Sequence, residues 1–359
     1  MFCGVVLETT SLLCASAATK IWHLFLTQGM VFGLGLGLIF IPLAAVVPQW
    51  FTKRRSLASG ISLAGAGLGG LTYSLSASAM IRDLGLALTF RILGVIAFVV
   101  NTSCILLIKE QKGHRALNQK AFDMTLLKRG EYILLLGFSA FSMLGYFILI
   151  FTLANFANSI GLSSSQASLA SALFNLAQAV GRPLIGYFSD KTGRINMAGA
   201  MTFIAGLLPL AMWTSTKSYG VLISFALLEG LVAGNFWATI APLVAEIVGL
   251  SNVSSGLSLL WVSIAVPCTF SEPIALEIVS GTGKYLGTEL FTGCMYIAAA
   301  VCMLVLRGWK IANNPECTTR DKPRESMPGE VVGISPSRDE KKKPGVWQCA
   351  YKCFQWVNV

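Results

Sequence analysis

"LAQAVGRPLIGYFSDKTGR", residues 176–194, sets Arg182 and Pro183 inside a run otherwise apolar enough for lipid, then turns into a charged loop at Asp190, Lys191 and Arg194. An ionisable side chain at membrane depth is expensive, so it is retained where it reaches water, pairs with another group or holds a ligand. Arg182 lies about six residues, roughly 9 Å, from the charged end of its helix, which is deep for snorkelling alone. Asn175 and Gln178 sit seven and four residues earlier, on the same helical stripe. A stripe of Asn, Gln and Arg belongs against a bundle interior or cavity, and a guanidinium there suits a carboxylate. A ligand or gating role is the preferred reading of Arg182, ahead of a structural ion pair.

The whole chain supports a membrane setting. Its 359 residues are 54% hydrophobic and 12% charged, with a mean hydropathy of +0.68, whereas soluble domains carry about 25% charged residues. Apolar runs near 2–18, 21–49, 57–81, 85–108, 131–154, 165–188, 195–213, 219–247, 251–279 and 284–307 are long enough to be spans. Barrel strands would alternate polar and apolar over about ten residues, so these runs are helices. The expected fold is all-α, a polytopic bundle of about ten membrane helices. The first run is short and carries Glu8, but it lacks the basic start of a signal peptide and is read as a helix.

Residues 109–130 form a basic linker that divides the spans four and six, and residues 308–359 form a tail rich in charge, Pro and Ser, expected to be disordered. The loops after even spans hold eleven Lys and Arg, among them Lys53, Arg54 and Arg55, against four after odd spans. The even loops and both termini are therefore expected to face the cytoplasm. The net charge of +10 follows this topology, and no nucleic-acid recognition motif accompanies it.

Little else in the chain carries chemistry. The nine cysteines are irregularly spaced; six lie in apolar runs, and Cys349 and Cys353 have no His or further Cys near them. No H-E-x-x-H or G-x-S-x-G occurs, so neither an enzyme nor a bound cofactor is expected. "GLGLG" (33–37) and the small residues of "GISLAGAGLGG" (60–70) read as close helix packing. Intramembrane acids are candidates for coupling: Glu229 in "EGLVAGNFWATIAP", with Asn235 and Trp237 as candidate ligand contacts, and Glu272 in "SEPIALEI". Either Glu is also a candidate partner for Arg182, because Pro and Gly interruptions often mark a site. Arg91, Glu246 and Glu277 lie close to span ends, where water is within reach.

"GYFSDKTGR" matches G-x-x-x-D-[RK]-x-G-R, with Gly186, Asp190, Lys191, Gly193 and Arg194 in the fixed positions, and so resembles the major facilitator superfamily. "WFTKRRSLASGISLAGAGLGG" (50–70) resembles the monocarboxylate-porter signature, and "GRP", "TFSEPIALEI" and "LVAEIVGLSNVSSG" look like its fungal branch. The resemblance spans roughly residues 1–310. It implies twelve helices as six plus six, so that residues 1–108 form an incomplete N-terminal bundle lacking two helices and 131–307 form the complete second bundle.

The resemblance further implies a secondary transporter working by alternating access at the plasma membrane, on a small organic anion or secondary metabolite, with protons as the co-ion. Arg182 carries over as the substrate-anion group. Asp190 and Arg194 would lock the cytoplasmic side, with Lys53 to Arg55 in the matching place of the first half. Animal members place an aspartate four residues before that arginine, where this chain has Gln178, so the aspartate's proton relay does not carry over. The competing reading is a truncated, non-transporting membrane protein, such as a sensor or scaffold.

Overall fold

The computed structural model describes residues 1–51, 53–108, 123–249 and 252–312. Most of the basic linker, the tail beyond Ala312, and with it Cys349 and Cys353, lie outside the described residues. The helices are α1 (Phe2–Ala15), α2 (Ile21–Leu24), α3 (Phe32–Trp50), α4 (Arg55–Leu84), α5 (Leu86–Leu107), α6 (Gly130–Ser159), α7 (Ser164–Thr192), α8 (Arg194–Leu208), α9 (Tyr219–Ala233), α10 (Asn235–Val248), α11 (Val253–Thr282) and α12 (Leu286–Ala312). A π-helical stretch, Phe25–Val31, joins α2 to α3, and another, Pro209–Trp213, extends α8. Each expected apolar run is helical over most of its described length; α12 runs on to Ala312, so residues 308–312 belong to a helix and not to the tail.

Among the described residues, seven segments are both long and apolar enough to cross a bilayer. The exceptions are informative. α1 has 14 residues, about 21 Å of rise against roughly 30 Å of hydrocarbon. α4 and α7 are long but rich in Gly, Ala, Ser and polar groups, and they form the most extensive helix pair in the structure. Their less apolar surface faces a neighbouring helix, where small residues let backbones approach. A Cβ on Gly60 would stand 2.3 Å from the Arg182 carbonyl oxygen, and one on Gly67 would stand 2.7 Å from the Ala179 nitrogen. This α4–α7 contact is the seam between the two halves.

The second half holds a continuous apolar core, running from Leu126 to Leu306 through α6 to α12. The first half is thinner: α1 packs between α3 and α5. The spans Ile21–Ala44 and Leu86–Leu107 are only 6% and 11% buried, against 39–56% for those of the second half. A Cβ added at Gly33, Gly37, Gly65 or Gly69 would meet no atom within 4 Å.

Local signals fix α7. Ser163 caps its start reciprocally with Gln166, and Gly193 ends it at φ 94°, a backbone state that favours glycine. The fixed Gly of the loop motif is therefore a turn requirement.

Candidate functional site

At one end of the seam, α7 reaches across to α4. The first N–H groups of a helix lack intrahelical acceptors. Here a side chain from the other half supplies them: Asp190 Oδ1 accepts the Ser56 N–H at 3.1 Å, and Oδ2 accepts the Leu57 N–H at 3.0 Å. Gly186, one turn earlier, makes the approach sterically feasible, since a Cβ there would stand 2.3 Å from the Ser56 carbonyl oxygen. Arg194 lies 3.5 Å from Asp190 and 3.3 Å from Glu246, and Lys310 pairs with Glu246 as well. The result is a charged network joining α4, α7, α8, α10 and α12.

Not every expected residue joins this lock. Lys53 and Arg54 are exposed, and Lys191 turns onto the Tyr187 ring, 4.2 Å from its centroid. Arg55 donates to the Phe51 carbonyl at 2.7 Å and stays within electrostatic reach of Asp190 and Glu246. Glu246 and Lys310 do join it, although a carboxylate near a span end gave no sign of two cations beside it.

Farther along the seam, Arg182 is 4% exposed and Gln178 1%. Nη1 of Arg182 donates to the Leu63 carbonyl of α4 at 2.7 Å, and Nη2 donates to Gln178 Oε1 at 2.6 Å and to the Tyr146 hydroxyl at 3.1 Å. Tyr146 in turn donates to Gln178 at 2.8 Å. The α9–α10 break at Gly234 makes room for the guanidinium, because a Cβ there would stand 2.9 Å from Nε. Every acceptor is neutral. Both Nη groups find acceptors, Nε has none among the described residues, and no carboxylate among them pairs with Arg182, so its charge is left unmatched.

Neither Glu expected as a partner reaches it. On α9 the neighbour Gly230 takes the position facing Phe174 of α7, which turns Glu229 about 100° around the helix. Glu229 is fully buried, and among the described residues no group donates to either carboxylate oxygen. Glu272 accepts from Thr152 of α6 at 3.3 Å. Asn235 also turns away: its Nδ2 donates to the Ala198 carbonyl at 3.0 Å and to Thr202 at 2.9 Å, tying α10 to α8. Asn175 donates to its own helix at Ser171 and packs on Gly70 of α4.

Arg182 instead faces a cavity of about 490 Å³ between the halves, lined by Phe40 of α3, Leu63 and Ala66 of α4, Tyr146 of α6, Trp237 of α10 and Trp261 of α11. Trp237 and Trp261 stack at 5.6 Å with their planes 22° apart. Phe40 stands edge-on to both, at 6.1 and 5.4 Å. Of these, the sequence singled out Trp237. Phe40, Tyr146 and Trp261 look like any lipid-facing aromatic until the helices are placed.

Two helical halves, a cavity at their seam with one buried cation, and a charged network at one end mark a multi-pass membrane protein of the carrier type. The Major Facilitator Superfamily profile matches residues 1–143 and 133–358, and the chain belongs to that family. It is 32% identical over 321 residues to a probable transporter of Saccharomyces cerevisiae, MCH2, covering 87% of this chain and 67% of the relative. It is 31% identical over 357 residues to an uncharacterized transporter of the same yeast, ESBP6, covering 94% of this chain and 53% of that protein, so it spans about half of the latter's length. In fold it is similar to the E. coli fucose:proton symporter FucP, with a TM-score of 0.67 and 15% identity over 85% of this chain and 82% of that one.

Proposed function

We propose that the chain acts in secondary transport of a small organic anion, either monocarboxylate-like or a secondary metabolite, by rocking the two halves about the seam cavity. The observation that carries this is Arg182. A guanidinium buried at membrane depth costs about 2.5–3.5 kcal/mol on insertion scales, and here its charge is matched only by neutral acceptors facing a ligand-sized cavity. An anion in that cavity would supply the missing charge.

On this reading Asp190 and its network close the cytoplasmic side, both termini are cytoplasmic, and the plasma membrane is the site of action. Protons are the co-ion, with Glu229 and Glu272 as the carboxylates that could carry them.

The test is uptake of labelled pyruvate into vesicles holding the protein. Arg182→Ala should abolish flux while leaving insertion intact, and an unchanged rate in that variant would remove Arg182 from the substrate path.

A further inference from the structure

The cavity shows a division that the anion reading leaves unused. Apart from Arg182, the Tyr146 hydroxyl that it binds and the indole N–H groups of Trp237 and Trp261, its wall is apolar. It continues into a second pocket of about 210 Å³ that shares Phe40, Leu63, Ala66, Trp237 and Trp261 and adds only Ser59 and Ser62 as polar groups. A short acid could satisfy Arg182 but would leave most of this wall facing water. A neutral apolar molecule could cover the wall but would strand a desolvated guanidinium. Only a ligand with one anionic end and a bulky apolar body answers both demands.

The wall also favours a ring over a chain. The near-parallel Trp237–Trp261 pair and the edge-on Phe40 form a corner whose faces and edges match an aromatic quadrupole. Aromatic pairs are stabilised beyond the area they bury, by roughly 2- to 13-fold in affinity each. A flexible alkyl tail gains the burial alone and loses more rotamer freedom.

From this we infer that the ligand is an aryl or polycyclic carboxylate, with its carboxylate at Arg182 and its rings in the Phe40–Trp237–Trp261 corner. The inference rests on the anion-transport reading and narrows it to a chemical class.

Calorimetric titration of the purified full chain with 2-naphthoate, octanoate and pyruvate tests it. 2-Naphthoate should bind about tenfold more tightly than either other acid, within the roughly 5- to 150-fold that two ring contacts of that size give. Trp261→Ala should weaken 2-naphthoate by about tenfold and pyruvate by clearly less, and Trp261→Phe should keep most of the affinity, which separates a lost ring from a lost fold. Arg182→Gln should weaken all three acids, which sets specific binding apart from uptake by detergent. Octanoate matching 2-naphthoate, or pyruvate binding best, would overturn the aryl assignment and leave the anion reading standing. Equal binding of all three acids to wild type and to Arg182→Gln would sink both.

Discussion

Asp190 caps Ser56: a carboxylate near the end of α7 accepts the N–H at the start of α4, 3.1 Å away, in the other half of the molecule. Its second oxygen accepts the next N–H, from Leu57, at 3.0 Å. A cap normally comes from the residue preceding its own helix. Here it bridges the seam, so it exists only while the halves are closed at this end, and helix-start dipole and carboxylate charge both favour closure.

Asp190→Ala should therefore open the lock. Caps are worth about 0.5–2 kcal/mol, or roughly a 2- to 30-fold change in the opening equilibrium. Ser59, buried beside the lock, offers a reporter: in a background without the native cysteines, a Ser59→Cys thiol should react with maleimide faster by about that factor. Asp190→Asn should give a smaller rise, because Asn also caps. Equal rates in all three proteins would show that the bridge does not hold the end shut.

The glycines separate packing from mere small size. Gly186→Ala places a methyl against the Ser56 carbonyl, and overpacking of this kind costs about 1–3 kcal/mol. Gly220 meets nothing within 4 Å, so Gly220→Ala should leave the melting temperature level or raise it slightly, alanine being the better helix former. Thermal unfolding in detergent should show Gly186→Ala several degrees below wild type. A Gly186→Ala protein as stable as Gly220→Ala would mean that α4 and α7 do not meet as described.

How far these features could be read beforehand depends on what kind of group carries them. The spans were legible because lipid demands length and apolarity together, and Gln178 with Arg182 was legible because residues four apart share a helical face. Asn175 lies on that stripe too, but α4 crosses there and Gly70 fills the space before it. Asp190 stood out in its motif, whereas its acceptor partners are backbone N–H groups, which leave no mark in a sequence. Phe40 and Trp261 are aromatic in helices full of apolar residues, and only the placement of α3 against α10 and α11 shows which faces meet.

Asn235 gives a contrast between scaffold and site. Removing its amide takes a buried donor from the Ala198 carbonyl and the Thr202 hydroxyl, at a cost of about 1–3 kcal/mol. Asn235→Ala should melt earlier than wild type, while its affinity for 2-naphthoate stays within about twofold, since its side chain does not line the cavity. A selective loss of affinity at unchanged stability would return Asn235 to the site.

Tyr146 tests whether the guanidinium is held in place or simply buried. Its hydroxyl accepts from Nη2 of Arg182 at 3.1 Å and donates to Gln178 at 2.8 Å, closing a ring of three side chains. Tyr146→Phe keeps the edge-on ring contact with Trp237, whose centroid lies 6.1 Å away, and deletes only the hydroxyl. Hydrogen bonds to charged groups contribute about 1.5–3 kcal/mol, and losing this one frees a donor of Arg182 while loosening its orientation. The two effects oppose each other for a ligand that approaches Arg182. Orientation should win, because a fork that meets a carboxylate bidentately tolerates little rotation. The expected result is a roughly tenfold weaker affinity for 2-naphthoate, with a melting temperature that changes by less than that of Asn235→Ala. Tighter binding in Tyr146→Phe would instead mean that the tyrosine competes with the ligand for the guanidinium, and that Arg182 is restrained rather than presented.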